Sequence, residues 1–328
     1  MRERTLGGSL TVSAVGFGCM GFSHAYGTAT DETEAIRAIR SAVDAGYTFF
    51  DTAECYIGEN ADGSISYNEE LVGKALSDVR DKVKIATKFG VQHGEGSLIT
   101  DSRPETIKRS VEGSLKRLGV DVIDLYYQHR IDPKVPAEEV AGTIAELIQE
   151  GKILHWGISE TDEEYLRRAH NVCPVTCIQN RYSMMARWHA DLFPVLEELN
   201  IGYVAFSPLA NGILSDAFKS GDTFEKGDFR SFMPQYSDDA FEKNQVLLGL
   251  IRDLAKDKDA TPAQISLAWM LCKKPYIVPI PGSRKIERIR ENGAASEIVL
   301  TEQEVARIDK QLDGMEMSAV FGGSPVTK

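Results

Sequence analysis

The sequence predicts a (β/α)8 barrel formed by a single domain over residues 1–328. Three observations predict it. Strand-like and helical runs alternate almost without interruption. Eight short apolar runs have strand character. The connections are asymmetric: helix-to-strand links are tight, whereas strand-to-helix links are long and irregular. In a barrel all the long links gather on the C-terminal face, where catalytic sites form.

The elements follow in order. Residues 2–13, RERTLGGSLTVS, read as a hairpin with a Gly7-Gly8 turn that closes the bottom of the barrel. Val15–Cys19 is the first barrel strand. Glu32–Ala45 is helical by the spacing of Ala35, Ile36, Ile39 and Val43, with Asp31 as its cap. Thr48–Ala53, helix Asn68–Leu76 and strand Val83–Lys88 come next. Helix Pro104–Leu118 carries the stripe Ile107, Val111, Leu115 and Leu118, with Pro104 in its first turn and Ser102 or Arg103 before it. Strand Val122–His129 precedes helix Ala137–Glu150, which Gly151 ends. Ile153–Ser159, Cys177–Ser183, Gly202–Ser207 and Ile277–Ile280 complete the strands. Helices over 163–170, 192–198, 239–256, 262–272, 286–292 and 301–312 complete the outer ring. The tight links are 44–47, 118–121, 150–152 and 200–202; the long ones are 54–67, 89–103 and 208–238.

Composition narrows the function. The net charge of −12 argues against nucleic acid, because a phosphate backbone needs a basic face. No apolar run approaches a membrane span of roughly 18 residues, and no h-region follows the charged start. Five cysteines, Cys19, Cys55, Cys173, Cys177 and Cys272, are an odd number in a long chain. They read as reduced cytoplasmic thiols, and the Cys173/Cys177 pair as buried small hydrophobes rather than metal ligands. No heptad or apolar patch sets an oligomeric state.

Four residues carry the chemistry. Asp51, Lys88 and His129 each close a strand-like run, and Tyr56 follows Asp51 by five positions. On parallel neighbouring strands, a carboxylate, an ammonium, an imidazole and a phenol converge on one face. That set suits proton delivery to a carbonyl. Tyr56 is the proton donor. Its ordinary pKa of about 10 is high for that task, and Lys88 is expected to lower it while Asp51 holds the ammonium. Taken singly, each residue also fits a structural role: an ion pair, a core histidine, a surface tyrosine.

Two further segments bear on ligand binding. Gly16-Phe-Gly-Cys-Met-Gly21 matches G-x-G-x-x-G after a strand, but the next helix begins only near Asp31. A dinucleotide fingerprint opens its helix at once. The segment therefore reads as a glycine loop that lets backbone approach a flat ligand, Gly21 included. Ile280-Pro-Gly-Ser-Arg-Lys-Ile286 runs from the last strand into a helix. Gly282, Arg284, Lys285, Arg288 and Arg290 there make a basic anion site in an acidic chain. A 2′-phosphate would explain that excess charge, favouring NADPH over NADH.

The segments FFDTAECY, NEELVGKAL, IATKFG, DLYYQH, GISE, IQNRYS, AFSPLANG and IPGSRKIERIREN, in this order, resemble those of the aldo-keto reductases from about Arg4 to Asn292. The resemblance implies NADPH-dependent reduction of an aldehyde or ketone to an alcohol. It makes Tyr56 the general acid and Asp51, Lys88 and His129 its partners. It implies that Ser159 and Gln179 hold the nicotinamide carboxamide and that Phe206 stacks on the nicotinamide. Ser207, Leu209 and Gly212 would line the pyrophosphate path, and Ser283, Arg284 and Arg288 would reach the 2′-phosphate. Glu291 and Asn292 would contact the adenine. The chain departs from the pattern at three places: Glu160 stands for a frequent Asn, Phe206 for a frequent Tyr, and Glu59–Tyr67 reads as an insertion. Phe22, Tyr26, Phe89 and Trp188 are candidates for the substrate wall. Two other classes stay open: a Schiff-base lyase using Lys88, and a cofactor-binding regulatory or channel-associated subunit with slow turnover.

Overall fold

The computed structural model describes residues 1–94 and 96–326. Eight parallel strands form the central sheet in simple sequential order: β1 (Phe17–Gly18), β2 (Phe49–Asp51), β3 (Lys84–Phe89), β4 (Ile123–Gln128), β5 (Ile153–Ser159), β6 (Cys177–Arg181), β7 (Gly202–Phe206) and β8 (Ile277–Pro279). The sheet closes on itself. Gly16 N–H donates to Pro279 O at 2.9 Å and Gly18 N–H to Pro281 O at 3.3 Å, joining β1 to β8. This is the expected (β/α)8 barrel, and every expected strand is present within a few residues.

The helices are α1 (Glu32–Asp44), α2 (Asn68–Leu76), α3 (Pro104–Leu118), α4 (Ala137–Gln149), α5 (Glu163–Val172), α6 (Phe193–Leu199), α7 (Asp238–Asp257), α8 (Pro262–Lys273), α9 (Ile286–Ala294) and α10 (Glu302–Asp313). Asp31 caps α1 by accepting from Thr33 and Glu34 N–H. Thr261 and Thr301 open α8 and α10 with reciprocal capping boxes. Neither Ser102 nor Arg103 caps α3 with its side chain: Arg103 holds the cap position without a side-chain bond, and the Ser102 hydroxyl is engaged by Gln128.

The N-terminal hairpin pairs Glu3–Leu6 with Leu10–Ser13. Gly7 and Gly8 both have positive φ, as a two-residue turn of this hand requires. Leu6, Leu10 and Val12 pack into one cluster with barrel residues Phe49, Leu125, Val204 and Val278. The hairpin is thus the plug of the barrel floor. Arg4 ties it to the C-terminal end of α8, donating to the carbonyls of Leu271, Lys274 and Ile277.

Two hairpins on the opposite face were not expected. Ile57–Glu59 pairs with Ile65–Tyr67, and Val91–His93 with Leu98–Thr100. The first contains most of the expected insertion. It packs against the loop after β1, where Ala29 N–H donates to Glu59 O at 3.0 Å.

Candidate active site

The loops after the strands enclose a cavity of about 590 Å3 above the C-terminal ends of the barrel. That is ample for a small-molecule site. Asp51, Tyr56 and His129 line it, and Lys88 lies directly beneath. Period-two alternation explains the placement: Lys88 points inward from β3, and the following Phe89 points outward. Phe89 is fully buried against Tyr126, so it is core packing and no part of a substrate wall. Trp188 is also excluded from the wall; it is 48% exposed and packs on His189. Phe22 and Tyr26 do line the cavity.

The Lys88 ammonium is fully buried and has three acceptors. It donates to Asp51 Oδ1 at 2.5 Å, Thr52 O at 2.8 Å and Tyr56 Oη at 3.3 Å. The second Asp51 oxygen accepts from Gln179 Nε2 at 2.7 Å. Burial alone would strip the charge from Lys88, but Asp51 and Tyr56 outweigh it and raise its pKa. Burial raises the Asp51 pKa in turn, opposed by Lys88 and Gln179; the 2.5 Å contact and the three acceptors around the ammonium favour the ionic form.

Tyr56 differs from the expectation. Burial pushes its pKa up to about 12, and Lys88 opposes this without reversing it. The phenol holds its proton firmly in this state. His129 is held neutral: burial lowers its pKa well below the ordinary value, aided by the charges of Arg130 and Lys88. Its ring meets Tyr56 edge-on at 5.7 Å, and its Nδ1 lies 3.4 Å from Cys55 Sγ. That contact occupies Nδ1, and no hydrogen bond of Nε2 is found among the described residues.

Sequence reasoning missed several cavity residues. His24 stacks parallel to Tyr56 at 6.0 Å and touches His93 at 4.5 Å, so three of the six histidines line this cavity. Both missed histidines come from loops that carry no periodic signal. Arg181 was legible, because it follows Gln179 by two positions on β6 and shares its inward face. Arg130 adjoins His129. Phe321 arrives from the chain beyond α10, which no pattern foretold.

The far end of the cavity is lined by the basic residues Arg284, Lys285 and Arg288. Ser207, Ala210, Asn211 and Gly212 all have positive φ, so the loop after β7 turns tightly, with Ala210 N–H donating to Ser207 O and Gly212 N–H to Leu209 O, both at 2.9 Å. The Gly18 and Gly282 backbones approach so closely that a Cβ on Gly282 would lie 2.5 Å from Gly18 O. Arg284 bridges the same seam, donating from Nε to Gly21 O at 2.6 Å. Its buried Nη2 and the Asn292 Oδ1 have no partner among the described residues. Gly21, Ser159, Gln179, Phe206, Leu209, Ser283 and Arg288 line the cavity as well. Glu291 is outside the cavity lining; its carboxylate accepts from Thr261 Oγ1 at 2.6 Å. Among the described residues, no group of three or more His, Cys, Asp or Glu is placed to hold a metal ion, and no helix is long and apolar enough to cross a membrane.

Comparison with known proteins agrees with this construction. The model of the aldo/keto reductase family matches residues 14–313. The chain is 39% identical over 327 residues to aldo-keto reductase str7 of Strobilurus tenacellus, covering 96% of this chain and 93% of that one. It is 38% identical over 315 residues to probable aldo-keto reductase 1 of Glycine max, covering 95% and 88%. Among solved structures, a glycerol dehydrogenase from Gluconobacter oxydans superposes with a TM-score of 0.83 at 29% identity, covering 98% of each chain. An aldo/keto reductase from Klebsiella pneumoniae, solved with NADP and acetate, superposes at 0.71 with 27% identity, covering 96% of this chain and 100% of that one. With a family match over nearly the whole barrel and relatives close to 40% identical, this chain belongs to the aldo/keto reductase family of oxidoreductases.

Proposed function

We propose that the protein reduces aldehydes or ketones to alcohols with NADPH, and that Tyr56 is the general acid. The observation that carries this reading is the Asp51–Lys88–Tyr56 chain of contacts at 2.5 and 3.3 Å beneath a cavity that His129 also lines. The residues fit the cofactor. The tight loop around Ser207–Gly212 and the basic lining of Arg284, Lys285 and Arg288 suit a pyrophosphate, and the buried Arg284 Nη2 would take an acceptor such as a 2′-phosphate. On this reading Ser159 holds the nicotinamide carboxamide and Phe206 stacks on its ring, although Ser159 Oγ also accepts from Arg130 Nη1 at 3.1 Å. Gln179 is placed likewise, although its amide nitrogen is engaged by Asp51. When bound, the nicotinamide supplies a hydride to the carbonyl carbon.

The chain's own residues manage the proton. Tyr56 Oη donates to the carbonyl oxygen as negative charge builds there. The phenolate that forms faces the Lys88 ammonium at 3.3 Å, which stabilises it in the transition state more than in the ground state. Asp51 and Thr52 O keep that ammonium in place. His129, neutral and with Nδ1 turned to Cys55, offers Nε2–H to the same oxygen. The Schiff-base alternative fares poorly on this geometry, because the Lys88 nitrogen is an ammonium with three acceptors and no free lone pair.

The test is loss of NADPH absorbance with small aldehydes, ketones and quinones, run beside Tyr56→Phe. Turnover that collapses by about 10²-fold or more in the variant is the expected result. Tight NADPH binding without turnover of any carbonyl would favour a regulatory subunit of the same fold. Absence of nucleotide binding would sink the reading.

A further inference from the structure

The cavity holds a second cationic feature beside His129, Ser159 and Phe206, to which the proposed reaction assigns no role of its own. Arg181 points inward from the end of β6 and is 4% exposed. Its Nε and Nη1 are buried and have no hydrogen-bond partner among the described residues. No carboxylate among the described residues forms an ion pair with it. Glu160, the nearest candidate, spends one oxygen on the Arg181 backbone N–H at 2.9 Å and faces His189 at 3.8 Å. The guanidinium lies against two rings instead, 4.9 Å from the centre of Phe206 and 5.9 Å from that of Phe321. Arg130 approaches the same Phe206 ring at 5.9 Å. Its Nη1 donates to His129 O at 2.6 Å and Ser159 Oγ at 3.1 Å, which fixes it beside the tetrad imidazole.

A buried cation with no anion is costly unless something arrives to pair it. Burial pulls the Arg181 guanidinium down to about 10; Glu160 opposes this and Arg130 adds to it, yet the group stays charged at neutral pH. Both arginines line the cavity that holds Tyr56 and His129. The planar guanidinium fork matches a carboxylate better than any neutral group. We infer that Arg181 and Arg130 form a carboxylate subsite, so that the preferred substrates are short aldehydes or ketones bearing a carboxylate a few bonds from the carbonyl. The inference rests on the carbonyl-reductase reading. It narrows that reading to a substrate class, and the reaction itself is unchanged: carbonyl to alcohol, NADPH to NADP+, with the proton from Tyr56.

The experiment compares matched pairs on the full chain: 4-formylbenzoate against 4-methylbenzaldehyde, and succinic semialdehyde against butanal. The readout is the ratio of kcat/KM within each pair, for wild type, Arg181→Met, Arg181→Lys and Arg130→Gln. Expected is a wild-type preference for the anionic member that drops by about 10- to 100-fold in Arg181→Met, mainly through KM. A smaller drop is expected in Arg130→Gln, and partial retention in Arg181→Lys. Equal wild-type efficiency on both members overturns the subsite while leaving the reductase reading intact. So does a ratio that survives both substitutions, or a loss confined to NADPH affinity. Where the Arg181 variants fail to fold by circular dichroism, benzoate and benzamide are compared as wild-type inhibitors, and benzoate binding no tighter than benzamide overturns the subsite. Where no carbonyl is turned over, the reductase reading fails. Calorimetry with the same two probes then decides the subsite separately.

Discussion

Lys88 Nζ stands 2.5 Å from Asp51 Oδ1, with both side chains almost wholly out of solvent at the end of neighbouring strands β3 and β2. An ion pair in this setting is costly to halve. Removing one partner leaves the other charged and unpaired in the barrel, at about 3–5 kcal/mol. Asp51→Asn and Lys88→Met should each lower the midpoint of chemical denaturation by that order and cut kcat by more than about 10²-fold. The double variant should lose less stability than the two single losses combined, because no charge is left stranded. Denaturant titration of all three variants checks this, and strict additivity would contradict an ionic pair.

The direction of the Tyr56 shift fixes the pH profile. In the proposed reaction, reduction needs the protonated phenol, and burial raises its pKa to about 12. The acid form therefore persists to higher pH than in a free tyrosine. The reductive kcat/KM at saturating NADPH should be level between about pH 6 and 9 and fall only above about pH 10. His129 adds no limb near pH 6.5, since its pKa lies well below that range. An acidic limb centred near 6.5 would show that His129 titrates.

Arg284 carries the prediction on cofactor choice. Its Nη2 is buried without a partner while its Nε is anchored on Gly21 O. Arg284→Ala should weaken NADPH by about 10- to 100-fold, the worth of a charge-assisted hydrogen bond, and leave NADH nearly untouched. Fluorescence titration of both nucleotides reads the ratio; equal weakening of the two would remove the 2′-phosphate from its role.

His24 makes a prediction on acid stability. Burial lowers its pKa to about 4, with the neighbouring His93 adding to the effect. The folded state thus prefers the neutral ring, whereas the unfolded chain protonates near 6.5. The stabilisation is present above pH 6.5 and is lost as pH falls from there through about 4, on the order of 1–3 kcal/mol. His24→Gln, which can still bond Ile57 O, should flatten the fall of Tm over that interval. A parallel fall in wild type and variant would assign acid sensitivity elsewhere.

Much of this was legible in the sequence because barrel chemistry sits where a strand stops. Asp51 and His129 announce themselves as polar residues closing apolar runs, and Tyr56 by its spacing from Asp51. Lys88 was visible for the same reason, and strict alternation should also have placed Phe89 outside. The capping of α1 by Asp31 was written in local chemistry. The hairpin at 57–67 was not, since its strands are three residues each and mostly solvent-facing, too short for a periodic signal. The Tyr56 shift escaped for a related reason. A neighbouring cation can be inferred from sequence, but the depth of burial depends on loops such as those bearing His24 and His93. The unpaired state of Arg181 is likewise a property of the assembled cavity.

The seam between Gly18 and Gly282 has a consequence for how the protein is made. The nucleotide end of the cavity is formed jointly by the first barrel strand and the residues just after the eighth. A growing chain on the ribosome holds the tetrad by residue 129, yet it has no seam until residue 284 emerges. On the proposed reading, nucleotide capture would therefore wait until residue 284 has emerged. Chains released before that point would expose the unpaired edge of β1 and have no ligand to draw them into the native state.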